Sequence, residues 1–379
     1  MEERDELLQK LYKLFESELS DEELAKSLSD YHEADIAEVY PNFDDYTRKR
    51  LSRILSPSRI SDIFSYLDNA EEYIEHMDAE RAADIIEAMD ADDAVDLLEE
   101  LEEDVRSEII ELMDDDAVED INLINSYDES QVGSRMTTNF IIIKTDMSIK
   151  QAMKTMIEQA AENDNVSTIY VEDSAGKYCG AVNLRDLIVA RHDSLLEDII
   201  MTSYPSILAT ESIEDCIEWL KDYGEDSIPV LGNSHEVLGI ITSTDLIEAV
   251  DDQLGDDYAK LAGLTEAEDM QESLPRSIKK RIPWLIVLFF LGLGVSSVVG
   301  TFEKVIASLP IIVSFQSLVL DMAGNVGTQS LAVTIRMLSE EQLRSKYTIK
   351  LIFKEVRVGF INGLILGTLS CILIGLYLF

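Results

Sequence analysis

Apolar residues in the first third of the chain recur at a helical period and in a fixed phrase. Ala83-Asp84-Ile85-Ile86-Glu87, Val95-Asp96-Leu97-Leu98-Glu99 and Ser107-Glu108-Ile109-Ile110-Glu111 follow one another every 12 residues. A helix of that length cannot bury its own apolar face. Residues 1–130 are therefore predicted to stack short helices into a small superhelix. Between the repeats, the aspartates of Asp90-Ala91-Asp92-Asp93 and Asp114-Asp115-Asp116 are placed to cap helix N-termini, where the helix dipole favours negative charge.

From about Met136 the pattern changes to strands alternating with helices. Phe140–Lys144 reads as a strand, and Ser148 as the cap of a helix running to about Ala161. Ser167–Val171 and Tyr178–Val182 read as two more strands joined by a turn at Asp173-Ser174-Ala175-Gly176, and a helix follows Asn183. The pattern then repeats. Met201-Thr202 echoes Met136-Thr137, a helix starts near Ser212, and Ser227–Leu231 and Val237–Ile241 are strands. A charged helix is expected from about Ser243 to Met270. Beyond it lie three apolar stretches, at about 283–303, 309–335 and 356–379, each long enough to cross about 30 Å of hydrocarbon as a helix.

Charge divides the chain in the same place. Residues 1–274 carry 20 Lys+Arg against 70 Asp+Glu, whereas residues 275–379 carry 11 against 5. So acidic a front repels nucleic acid and anionic lipid, which argues against either as its partner. It also repels itself unless cations screen or bridge its carboxylates. The basic collar Arg276, Lys279, Lys280 and Arg281, and the basic residues between the second and third stretches (Arg336, Arg344, Lys346, Lys350, Lys354, Arg357), place both segments and residues 1–280 in the cytosol by the positive-inside rule. Cys179, Cys216 and Cys371 are far apart and suit a reducing compartment, and the opening MEERDELLQK is unlike a signal peptide. The second apolar stretch holds Asp321, Gly324, Asn325, Gly327 and Gln329. Such polar groups are costly in lipid, and they point to a protein interior or a water-filled path.

The twice-repeated unit, with its Met-Thr opening, Ser227-Ile228-Pro229-Val230 strand and Gly239-Ile240-Ile241-Thr242-Ser243-Thr244-Asp245-Leu246 ending, resembles a tandem pair of CBS domains at about 136–195 and 201–248 within residues 131–248. An acidic helical domain, a CBS pair, a charged helix and a membrane segment with Gly324-Asn325-Val326-Gly327-Thr328-Gln329 together resemble the MgtE family of magnesium transporters. Lys354–Gly359, with a Glu at the start of the third span, is similar to that family as well.

The resemblance implies a multidomain fold: an all-α superhelical N domain (1–130), an α/β tandem CBS pair, a connecting helix (249–275) and an α-helical transmembrane domain (276–379). It implies a homodimer in the cell membrane with five spans per chain and a pore between subunits, importing Mg2+ and closing when cytosolic Mg2+ is high. The family's fourth and fifth spans, the fifth with its ion-selecting aspartate, are not among these residues, so the chain is expected to be a fragment, to need another polypeptide for transport, or not to transport. Regulatory Mg2+ carboxylates are implied at Asp92 and Asp96, at Asp245 and Glu248, and at Asp251, Asp252, Asp256 and Asp257; Gln253 falls where an acid is common. Asp321, Gly324, Asn325, Gly327 and Gln329 are implied to line the pore, and Thr242 with Asp245 to hold the ribose of ATP in the CBS cleft. Two other readings stay open at this point. A membrane-anchored CBS sensor that does not conduct would fit the domain order. An intramembrane enzyme would need a catalytic pair in the spans, and no His–Glu or Ser–His set occurs there.

Overall fold

The computed structural model describes residues 2–15, 19–67, 69–161, 163–191, 195–265, 267, 273–304, 311–340 and 345–378. They fall into two compact units, Met1–Leu246 and Ile247–Phe379.

The first unit opens with ten short helices: α1 (Glu2–Phe15), α2 (Asp21–Leu28), α3 (Glu33–Val39), α4 (Asp45–Ile54), α5 (Pro57–Phe64), α6 (Ala70–Ile74), α7 (Ala79–Glu87), α8 (Ala91–Glu100), α9 (Glu103–Leu112) and α10 (Asp115–Ile124). Most of them pack on the helix two away in the chain. The series α1, α3, α5, α7, α9 forms one layer, and α8 lies between α6 and α10 in the other. The 12-residue phrase is what makes this possible, because it returns an apolar face to the same side of every repeat. Ile85, Ile86, Leu97, Leu98 and Ile109 are buried accordingly.

The caps divide into two kinds. Ser20, Asp44 and Ser56 accept hydrogen bonds from the N3 amides of their helices. Asp90 and Asp114 stand at the N-cap positions of α8 and α10 but cap neither helix with their side chains, contrary to the sequence expectation. The Asp90 carboxylate is engaged elsewhere, as described below.

Each CBS unit is a three-stranded sheet with one parallel and one antiparallel pairing. In the first, β1 (Ile141–Lys144) lies parallel to β2 (Thr168–Glu172), which pairs antiparallel with β3 (Tyr178–Asn183). In the second, β4 (Ile207–Leu208), β5 (Ser227–Leu231) and β6 (Val237–Thr242) repeat the arrangement, including an irregularity after Val171 in β2 and after Val230 in β5. The helices are α11 (Ile149–Gln159), set by the Ser148–Gln151 capping box, α12 (Leu184–Val189), α13 (Ile213–Tyr223) and α14 (Ser243–Ala262).

The two units exchange their leading segments. Thr137, ahead of the first unit, bridges Ile240 in β6 of the second, and Met201, ahead of the second, bridges Ala181 in β3 of the first. Both crossings require a glycine in the receiving strand. A Cβ at Gly180 would lie 2.6 Å from the Met201 carbonyl oxygen, and one at Gly239 would lie 2.7 Å from that of Thr137. Tyr170, Tyr204, Ala181 and Ile240 fill the space between the sheets. There the Tyr170 hydroxyl meets Ser227 Oγ at 2.6 Å, and the Tyr204 hydroxyl donates to the Ser227 carbonyl at 2.7 Å. Tyr170→Phe should lower stability by about 1 kcal/mol, since it leaves the buried Ser227 hydroxyl without that partner. A fall in the urea midpoint at unchanged slope is the expected reading, and an unchanged midpoint would show the bond to be neutral.

In the second unit α14 ends at Ala262, well short of Met270. Gly263 stops it with a φ of +80°, and residues 268–272 lie outside the described set. Three long helices follow: α15 (Leu274–Thr301), α16 (Ile311–Glu340) and α17 (Ser345–Leu378). The first and third begin about ten residues earlier than the apolar runs they contain. Among the described residues only α15 has the length and apolarity of a membrane span, with mean hydropathy 2.3 in its most apolar window. α16 and α17 pack together, and Gly359 faces Val326 across them.

Candidate functional site

The helical layer and the CBS pair meet through aspartates. Asp90 Oδ1, at the start of α8, accepts from the Thr137 hydroxyl and from Asn139 Nδ2, both at 3.1 Å. Asp120 Oδ2 on α10 accepts from the Thr138 hydroxyl at 2.7 Å. Asn139 Oδ1 in turn accepts from the Asp164 amide at 2.8 Å. The run Thr137-Thr138-Asn139 is thus gripped from the N-cap of α8 and from α10, neighbours in one layer of the stack. Beside it lies a cavity of about 570 Å3, lined by residues that include Asp62, Asp90, Asp120, Asn139 and Asp164.

Two turns of chemistry concentrate near this contact. Asp92, in the first turn of α8, has an Oδ1 atom sealed from solvent that no described donor reaches. Burial pushes its pKa well above the usual carboxylate range, and the charges of Asp245, Asp93 and Asp90 push it the same way. Asp245, in the first turn of α14, is raised as well. Burial is the main cause, opposed by its bonds to Thr242 and reinforced by Asp90 and Asp93. Those bonds are short: the Thr242 amide donates to Asp245 Oδ2 at 2.7 Å and its hydroxyl to Oδ1 at 2.8 Å. Burial also raises Asp93, and it raises Asp62, which Glu33, Asp164 and Asp90 push further. These carboxylates repel one another in a place where water cannot fully screen them.

The structure treats the other expected site residues differently. Asp96 shares a helix with Asp92 but is exposed, with an oxygen 3.9 Å from Arg135 Nη1. Glu248, Asp251 and Asp252 are exposed on α14, and Asp256 and Asp257 are half-exposed; Asp256 Oδ1 accepts from the Ala267 amide at 3.1 Å. Asp321, Gly324, Asn325, Gly327 and Gln329 lie along α16 with exposed side chains or backbone. Asn325 Nδ2 donates to the Asp321 carbonyl at 3.0 Å, and no described atom stands within 4 Å of where a Cβ would be at Gly324 or Gly327. Among the described residues no three His, Cys, Asp or Glu side chains converge tightly enough to enclose a metal ion.

Sequence reasoning missed Asp90, Asp93, Asp120 and Asp62 as members of this contact. The first two were assigned to capping. The usable signal was the Thr137-Thr138-Asn139 run, three short hydrogen-bonding side chains placed where the acidic repeats end.

An acidic helical stack joined to a CBS pair, and followed in the chain by long helices of which one has the length and apolarity of a span, is the domain order of a membrane protein with a large part outside the bilayer. Comparison with known proteins makes the assignment specific. Residues 31–130 match the MgtE intracellular N domain, 130–193 and 196–252 match CBS domains, and 316–379 match the divalent cation transporter domain of MgtE. The chain is 38% identical over 344 residues to a magnesium transporter MgtE of Enterococcus faecalis, covering 90% of this chain and 76% of that protein. It therefore belongs to the MgtE family of magnesium transporters. It is 29% identical to the Bacillus subtilis magnesium transporter MgtE, of which it spans 56%, and 26% identical to that of Thermus thermophilus, of which it spans 57%. A crystal structure of the soluble part of a magnesium transporter superposes with a TM-score of 0.60 at 28% identity, covering 66% of this chain and 98% of that one. The cytosolic domain of a Mg2+ channel MgtE in complex with ATP shares the fold, with a TM-score of 0.56 at 22% identity over 64% of this chain and 98% of that one.

Proposed function

We propose that this chain works in Mg2+ import across the cell membrane, and that its cytosolic part closes the pore when internal Mg2+ is high. The observation that carries the reading is the sealed Oδ1 of Asp92, which accepts no hydrogen bond, on a carboxylate that the charge of Asp245 opposes. Mg2+ is a hard cation that takes oxygen ligands, keeps several of its waters, and is commonly held by one or two carboxylates. Asp92 and Asp245 supply that chemistry without a full protein cage. With Mg2+ present the helical stack and the CBS pair are held together. Without it, like charges favour separation, and this difference in affinity between two states is what regulation requires.

The basic residues in the first turns of α15, and Arg336, Lys346, Lys350, Lys354 and Arg357 at the end of α16 and the start of α17, support a cytosolic position for residues 1–280. Asp321, Asn325 and Gln329, with the carbonyls at Gly324 and Gly327, are proposed to line a water-filled path between the subunits of a homodimer. ATP is a second proposed ligand, with Thr242 and Asp245 as its ribose contacts. Because the two side chains are bonded to each other, a ribose would have to replace that bond, and Asp245 could not serve both ligands fully.

Limited proteolysis of the whole chain in lipid nanodiscs tests the sensing role. Mg2+ should slow cleavage between the helical stack and the CBS pair, while Na+ at equal ionic strength should not. Asp92→Asn combined with Asp245→Asn should remove the protection. Equal cleavage rates with and without Mg2+ would sink the reading.

A further inference from the structure

The second unit contains a joint whose parts all lie between the last turns of α14 and the first turns of α15. Gly263 closes α14 in the left-handed conformation, with the Leu264 amide donating to the Ala259 carbonyl at 2.8 Å. Any side chain there would be strained, and the space its Cβ would take is already filled by the indole of Trp284. The Thr265 amide donates to the Lys280 carbonyl at 3.3 Å. Lys280 is only 9% exposed, and its Nζ donates to the Ala267 carbonyl at 2.6 Å. The Ala267 amide in turn donates to Asp256 Oδ1 on α14. A buried ammonium is tolerated only where it is bonded, and a charge-assisted bond of this length is a strong one.

We propose that Trp284, Lys280 and Asp256 are positioning residues that clamp the end of α14 to the root of the first membrane helix. Three connections of different kinds converge on one short stretch: an indole against a glycine, a backbone bond, and the relay Lys280–Ala267–Asp256. Together they fix the angle at which α14 meets α15, so displacement of α14 turns α15 instead of being absorbed at Gly263. Asp256 is a strut in this joint, a role different from that of the sealed Asp92. The inference rests on the Mg2+-sensing reading above, because it names the route by which the sensor reaches the membrane.

The test uses the whole chain in lipid nanodiscs with Trp219→Phe, which leaves Trp284 as the one tryptophan of the two in the sequence. Acrylamide quenching of Trp284 and protease protection are followed through one Mg2+ titration. In the parent both signals should change with the same midpoint. Gly263→Ala should shift the docked-to-undocked ratio of the joint roughly fivefold, given the cost of a side chain in the left-handed region. Gly263→Ala and Lys280→Met should each weaken the Mg2+ response of Trp284 several-fold while moving the protection midpoint less than about twofold, and Lys280→Arg should restore the response. Protection by Mg2+ with a silent Trp284 in the parent overturns the clamp and leaves the sensor standing, as does an intact Trp284 response in both variants. If Mg2+ changes neither signal, the sensor fails and the clamp falls with it.

Discussion

Asp92→Asn should stabilise the chain in metal-free buffer at neutral pH by about 2 kcal/mol, the scale of penalty for a buried carboxylate with one oxygen left unsatisfied. For a unit of this size that is a rise in melting temperature of about 4–8 °C. The carboxylate oxygen concerned is sealed and accepts no hydrogen bond, and three neighbouring aspartates oppose its ionisation. An amide of the same shape removes the charge and adds a donor that these aspartates can accept. The same substitution should erase most of the stabilisation that Mg2+ gives the parent, which at a concentration of about a hundred times Kd is roughly 2.7 kcal/mol. Melting curves of parent and variant in EDTA and in Mg2+ check both halves together. Asp96→Asn is the matched control; its exposed side chain rests near Arg135, and the change should stay within about 0.5 kcal/mol. A variant less stable than the parent in EDTA would mean that Asp92 has a favourable partner in the metal-free fold.

In EDTA, stability should fall as pH rises above the ordinary carboxylate range, the reverse of ordinary acid denaturation. The sign follows from which state keeps its protons. Burial and mutual repulsion raise the folded pKa values of Asp92, Asp245, Asp93 and Asp62 above those of the unfolded chain. The folded state therefore holds protons that the unfolded state releases near pH 4. The stability they confer is complete at low pH and is lost as pH climbs through the folded values. Each proton so retained costs about 1.4 kcal/mol for every pH unit over which only the folded state keeps it. Asp90, Asp164 and Glu33 face the group and add to the repulsion, and Arg59 relieves Asp62 in part. Exposed acids that bond to amides or to a serine act in the opposite sense. Glu23 is lowered by Ser20, Asp44 by Thr47 and Asp173 by the Lys177 amide, and their contributions vanish only as pH falls below the ordinary carboxylate range. Saturating Mg2+ should flatten the slope, and so should Asp92→Asn. A parent whose melting temperature in EDTA is level across this range would remove the electrostatic basis of the sensor.

The elements of the helical stack and the CBS pair were legible because their signals are local. The 12-residue phrase set the helical stack, and Ser148, Ser212 and the Asp173–Gly176 turn marked the CBS elements to within a residue or two. The contact between them was less legible, because a carboxylate at an N-cap looks the same whether it serves its own helix or a neighbour. Asp90 has the sequence context of a cap and bonds to Thr137 and Asn139 instead. Asp92 and Asp96 share a spacing that places them on one face, yet one is sealed and the other exposed, a difference that only packing decides. The end of α14 was misplaced for the same reason. The acidic, helix-favouring sequence runs on past Gly263, and it is the indole of Trp284, distant in sequence, that makes a turn there worthwhile.

The exchanged leading segments of the CBS pair carry a consequence for synthesis. When residues 136–190 leave the ribosome, Thr137 has nothing to bridge until Ile240 emerges about a hundred residues later, and Ala181 waits for Met201. Neither half can reach its finished state alone, so the nascent first half persists with an unsatisfied strand edge through several seconds of translation at about 5–20 residues per second. In that interval the helical stack, complete by Ile124, is the only finished body on the chain, and its Asp90 and Asp120 are already in position to take hold of Thr137 and Thr138. The acidic stack would then act as a holder for its own downstream neighbour before the carboxylates of Asp92 and Asp245 have come together.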